Sequence, residues 1–203
     1  MGFQLTATGG DCNAFFDQWL IAYGGQNILE EAGKLHVDDR QVREAVLKTL
    51  TYPTTAYKEG FVPASAINWN DADNNAFHSK NIVMDLDGSI STEVAIIANK
   101  QDYDDIVTWG LAADNDGKAV PSWSFSVCGL IPKGAKNVDV AKDFLKYLIQ
   151  PEVLNDSLKT GLGRRVPAMP SIVKTDPWWM ADPHRKAYTT QALLRPTAGV
   201  LGL

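Results

Sequence analysis

A chain of 203 residues, 45% hydrophobic and 21% charged, has an ordinary globular composition and can bury roughly 70% of its unfolded surface, in one substantial core or two small ones. Its net charge of -5 and pI near 5.1, with basic residues scattered rather than clustered, supply no field for a phosphate backbone and argue against a nucleic-acid partner. No run approaches the ~18 apolar residues of a membrane span, and the residues from Met1-Gly2 onward do not read as a secretory signal.

In chain order, Phe3 to Thr8 reads as a short strand and Gly9-Gly10-Asp11 as a turn. From Cys12, the positions Cys12, Phe15, Phe16, Trp19, Leu20 and Tyr23 keep helical spacing until Gly24-Gly25 ends the helix. Asn27 to Leu35 is a hairpin or loop. Asp38, with Gln41 three residues on, is a capping-box pattern for a second helix with Val42, Ala45, Val46, Thr49 and Leu50 inward. Tyr52-Pro53 is expected to break or kink it. Asn70, Asp71 and Asp73 stand where acidic caps favour the start of a helix through Ala76 and Phe77. The spacing of Asp71, Asp73 and Asn75 also matches the start of a calcium loop, but that loop needs Gly and Glu where Ala76 and Ile82 stand, so capping is preferred.

Ile82 to Leu86 reads as a strand, Asp87-Gly88-Ser89 as a sharp turn, and Ile90 to Asn99 as a helix. Ile106 to Leu111 is another strand and Asp114 to Gly117 a turn. Ser124 to Ile131 is a further strand, closed by Pro132-Lys133-Gly134. Asn137 can cap a helix with Val140, Ala141, Phe144, Leu145, Leu148 and Ile149 on one face. Pro151 starts a second helix that runs to about Lys159 and stops at Gly161. Asp176-Pro177-Trp178-Trp179 leads towards a last helix, His184 to Leu194, ended by Pro196. Alternation of helices and strands argues for an α/β fold. Cys12 and Cys128 read as free, mostly buried thiols rather than a bridge.

The succession of an aromatic strand, "IPKGAKN", "AKDFLKYLIQPEV" and the "GRRVPAMPS" loop resembles the extracellular solute-binding proteins that deliver sugars to ABC importers, family 1 type. "NNAFHSKNIVMDLDGS" and "DCNAFFDQWLIAYGGQNI" are similar to earlier blocks of that family, in the family's order, and together the blocks cover most of Phe3 to Pro196. The resemblance implies a periplasmic-binding-protein-like (type II) fold: two lobes joined by hinge strands, ligand between them. Members are usually much longer, so it also implies a C-terminal fragment, mostly the C-terminal lobe plus part of the N-terminal lobe. Residues 1–106 would be the first part of the C-terminal lobe, 107–123 a hinge-proximal segment, 124–163 an N-terminal-lobe segment and 164–203 the return. It further implies a periplasmic or extracellular membrane-associated protein whose signal is absent from this chain. The expected partners are a small-molecule ligand, a sugar first, and an ABC permease. A truncated lobe exposing apolar surface would also self-associate.

A sugar needs amide or charged groups for its hydroxyls and aromatic planes for its C–H faces. Trp123, after Pro121 and before an apolar strand, is a candidate to line the cleft. Trp19 and Phe16 lie on the periodic helix face and read as core, and Trp178 and Trp179 cannot both face one way in an extended segment. Asp87, beside Gly88 and Ser89 at a strand end, is the leading polar candidate, since open α/β sheets bind ligands beyond their strand ends. It can equally cap the helix that follows. Asp11 and Asn13 carry the same ambiguity at an earlier helix start. Arg164 and Arg165 occupy a Gly-rich loop that the resemblance brings past the cleft, where one could contact sugar hydroxyls or a carboxylate and the other serve as an ion pair. His36, His78 and His184 stand apart and read as solvated, with no zinc spacing, no nucleophile elbow and no phosphate loop. No cofactor, metal or catalytic residue is expected. The rival readings are a carbohydrate-active α/β enzyme with Asp87 as acid or base, or the same fold with a polyamine, organic anion or metal chelate as ligand.

Overall fold

The computed structural model describes residues 2, 5, 10–29, 33–69, 73–114, 116–123 and 127–194. The expected strand Phe3 to Thr8 lies outside them apart from Leu5, as do Asn70, Asp71, Asn115, Ser124, Phe125, Ser126 and Pro196.

Among the described residues ten α-helices follow one another: α1 (Gly10–Ala22), α2 (Arg40–Lys58), α3 (Asp73–His78), α4 (Ser91–Ala95), α5 (Lys100–Asp105), α6 (Val138–Leu148), α7 (Pro151–Thr160), α8 (Pro170–Thr175), α9 (Trp178–Ala181) and α10 (Pro183–Leu193). The α/β expectation is not met by a sheet: among the described residues, pairing is limited to the isolated bridges Gly2 with Asp85 and Leu29 with Leu35. Among the described residues the segments 82–86, 106–111 and 127–131 carry no ladder, and Val83 lies in a bend. Their β-branched content suits a strand, yet a strand exists only where a neighbour accepts its backbone hydrogen bonds, and sequence pattern says nothing of that neighbour.

Two small cores form among the described residues. Phe15 from α1, Ala56 from α2, Ala76 from α3, and Val62, Ala66, Trp69 and Ile82 make the first, with Trp19 packed against it. The second gathers Ile172 and Val173 of α8 around Trp179 of α9, flanked by Leu154 and Leu158 of α7. No helix among the described residues is long and apolar enough to cross a membrane.

Several elements depart from the pattern reading. Asp39, not Asp38, caps α2, its Oδ1 accepting from the Val42 amide at 3.1 Å. The helix continues through Pro53, although proline has no N–H for the Thr49 carbonyl. The helix expected over Ile90 to Asn99 stops at Ala95, and Asn99 instead caps α5. The stripe on α6 has the right spacing, but none of that helix's residues is buried, and Val140 and Phe144 are 71% and 58% exposed. Cys12 and Cys128 are not bridged to each other, and Cys128 is exposed rather than buried.

Candidate ligand-binding site

On α1 the apolar stripe is interrupted by Gln18, three residues after the buried Phe15, and Gln18 is itself buried. A buried amide needs partners. It finds them in the segment before residue 124: Oε1 accepts from the Trp123 backbone N–H at 2.6 Å and Nε2 donates to the Pro121 carbonyl at 3.0 Å. The neighbouring Asp17 accepts a hydrogen bond from the Trp123 side chain; burial raises its pKa and that bond pulls it part of the way back. Trp123 is thus seated half-buried against α1. Asn13 lies one turn before Asp17, on the same helix face, and is exposed. Asp11 belongs to α1, but its side chain lies outside the described residues.

The segment that carries Trp123 is held from its other side by α10. Gln191 accepts from the Leu111 N–H at 3.0 Å and donates to the Val120 carbonyl at 3.0 Å, and the Ser122 N–H donates to Leu194 at 3.2 Å. Two glutamines on different helices therefore splint residues 111–123. Neither was anticipated, although a polar residue inside a helical apolar stripe was a signal for Gln18.

Asp87 is half-buried with both oxygens engaged. Oδ1 accepts from the Ser89 N–H at 3.0 Å, and Oδ2 accepts from the Ser91 and Thr92 hydroxyls at 2.8 Å each. Asn74 of α3 donates to Ser91 at 3.1 Å, tying that turn to α3. The structure thus assigns Asp87 the turn-organising role at the start of α4, which leaves Gly88 exposed and Ser89 half-buried beside it. Around them lies an acidic group. Asp73 and Glu93 are buried at 3% and 4% exposure, and both Asp85 oxygens are buried with no hydrogen-bond partner among the described residues. Burial, then the charges of Asp73, Asp87 and Glu93, push the Asp85 carboxyl up to about 8. Among the described residues no three side chains are arranged to hold a metal ion.

Arg164 and Arg165 are exposed just past the end of α7. Leu162 and Gly163 take left-handed φ of 57° and 78°, and the Gly163 N–H returns to the Leu158 carbonyl at 3.1 Å, reversing the chain. The back of that turn is closed: a Cβ at Gly163 would lie 2.9 Å from Arg185 Cδ and 3.2 Å from the Trp178 ring. Trp178 and Trp179 meet edge to face with centroids 4.9 Å apart, Trp179 wholly buried. At least one tryptophan of that pair packs, as expected.

His184 is buried at 4% exposure, not solvated, because it follows Pro183 into the first turn of α10, against Tyr103 of α5. The structure therefore places Asn13 and Trp123 on one face of α1, Asp87, Gly88 and Ser89 beside an acidic group at α4, and Arg164 and Arg165 at the turn after α7. No described contact joins the three groups.

The family model described as bacterial extracellular solute-binding protein matches residues 6–187. No curated protein and no solved structure matches the chain.

Proposed function

Because the chain belongs to the bacterial extracellular solute-binding proteins, we propose that it serves an ABC importer by binding a carbohydrate between two lobes and handing it to the membrane permease. Membership carries the coarser statement: a binding component of a transporter, acting in the periplasm or outside the cell on a small molecule. The observation that supports the sugar is Trp123, whose indole is held by Asp17 and whose backbone N–H is held by Gln18, with the exposed Asn13 amide on the same helix face. A flat apolar plane beside an amide suits the alternating faces and edges of a pyranose.

In this reading residues 1–106 and 164–203 belong to one lobe, 124–163 to the other, and the glutamine-splinted 107–123 segment carries Trp123 between them. Closure would then be a hinge motion driven by contacts made only when both lobes meet the ligand. The second reading, a cationic ligand such as a polyamine, is favoured by Asp87, a half-buried acidic side chain beside the exposed Gly88. Tryptophan fluorescence and thermal shift against saccharides, sugar alcohols and polyamines separate the two. A saturable saccharide response lost in Trp123→Ala supports the first reading; a polyamine response that survives Trp123→Ala replaces it with the second.

A further inference from the structure

Glu93 of α4, Thr108 of the extended 106–111 segment and His184 of α10 form one hydrogen-bonded chain. Glu93 Oε1 and Thr108 Oγ1 are 2.5 Å apart, Thr108 Oγ1 and His184 Nδ1 2.7 Å, and His184 Nε2 and the Tyr103 carbonyl 3.1 Å. The proton inventory of this chain is constrained. A carbonyl only accepts, so Nε2 carries a hydrogen. The Thr108 hydroxyl has a single hydrogen and two neighbours. If it donates to a Glu93 carboxylate, Nδ1 must donate to it and the ring is an imidazolium. If it donates to Nδ1, Glu93 must donate to it and the carboxyl is neutral. Both arrangements hold one proton more than a carboxylate beside a neutral imidazole, which would set two lone pairs against each other in one of the short contacts.

We propose that Glu93, Thr108 and His184 share this single proton at pH values where a free glutamate and a free histidine have both lost theirs, and that it latches the 106–111 segment between α4 and α10. The surroundings retain it. Asp85 and Asp87 face Glu93 from the preceding segment, Tyr103 lies edge-on to the His184 ring at 4.5 Å with Asp182 and Arg185 beyond it, and Tyr188 faces Glu93, Asp87 and Asp85 from α10. The acidic neighbours oppose a carboxylate at Glu93. Burial acts first on Glu93 and raises its pKa, and its Oε2 has no hydrogen-bond partner among the described residues. The latch stands whatever ligand the protein carries.

The sign follows from linkage. Between the ordinary glutamate and histidine values, ~4.3 and ~6.5, the unfolded chain holds one proton on the histidine and the folded triad holds one, so this group contributes no slope. Above ~6.5 the unfolded chain holds none, and stability falls as pH rises until the triad itself titrates. Glu93→Gln supplies an amide donor in place of the carboxyl proton and removes that dependence.

The test measures the unfolding equilibrium from pH 6.5 to 9 in Asp85→Asn and in Asp85→Asn with Glu93→Gln, which removes the separate Asp85 titration. The expected result is an unfolding constant rising about tenfold per pH unit more steeply with Glu93 present; parallel curves overturn the proposal. Should the variants fail to fold, the wild-type protein at pH 8 is examined by infrared spectroscopy with 13C-labelled glutamate and by 15N NMR of the imidazoles. A neutral Glu93 carboxyl or a doubly protonated His184 ring supports the shared proton, and a carboxylate beside a neutral ring overturns it.

Discussion

The Arg185 guanidinium lies 3.5 Å from the centroid of the Trp178 ring while its Nε donates to the Trp178 carbonyl at 2.9 Å. One side chain thus grips both the face and the backbone of the residue that begins α9, and Gly163 closes over the pair. Arg185→Lys keeps the charge but loses the planar stack and the fixed N–H. An expected loss of about 1–2 kcal/mol in urea unfolding checks this. Gly163→Ala should cost a similar about 1–2 kcal/mol, because its φ of 78° and the 2.9 Å approach to Arg185 both reject a Cβ.

Trp179 is wholly buried at the centre of the second core, and its indole N–H donates to Asn155 Oδ1 at 2.9 Å. Trp179→Ala should cost about 3–5 kcal/mol, enough to unfold α7 to α10 in a marginally stable domain. Circular dichroism of the variant at room temperature is the check; an unchanged melting curve would refute the central role given to this ring.

Pro53 interrupts the hydrogen-bond ladder of α2 without ending the helix, and the Thr51 and Thr54 hydroxyls donate to the Leu47 and Leu50 carbonyls on either side, at 2.7 Å each. Pro53→Ala restores the missing donor, and a gain of about 1–3 kcal/mol in thermal or urea unfolding is expected.

Asp85 predicts a pH dependence of its own. Its folded carboxyl value, about 8, lies above the ordinary range, so its contribution to stability is present in full below ~3.9 and is lost as pH rises towards 8. Asp85→Asn should flatten the profile between pH 4 and 8 and make the protein more stable at pH 8 by about 1–3 kcal/mol, the scale of an uncompensated buried polar group. Thermal melts across that range measure it.

Gln18→Ala removes both bonds that seat the segment before Trp123. It should cost about 1–2 kcal/mol and expose the indole, seen as a red shift in the emission difference between this variant with and without Trp123→Phe. If the proposed function holds, the saccharide response weakens with it; a full response from Gln18→Ala would separate ligand binding from this anchor.

Helix starts and stops were largely legible from residues because they are local chemistry. Pro151 at the first turn of α7, Gly161 after its last, and the short helix behind Asp73 all follow from capping and backbone freedom. Asp87 as the organiser of the turn into α4 was equally readable, since an Asx turn needs only neighbours in sequence. The order of motifs also carried the solute-binding family, though not its ligand or type. What the sequence could not supply was any partner far along the chain. Gln18 meets Trp123 across 105 positions and Glu93 reaches His184 through Thr108, contacts that no periodicity announces. The exposed stripe of α6 shows the converse: amphipathic spacing names the face that would pack, and only the tertiary structure decides whether something packs on it. The same holds for segments 82–86 and 106–111, whose composition suits a sheet: among the described residues the first makes only an isolated bridge to Gly2, and the second is held through Thr108 and Leu111 by side chains.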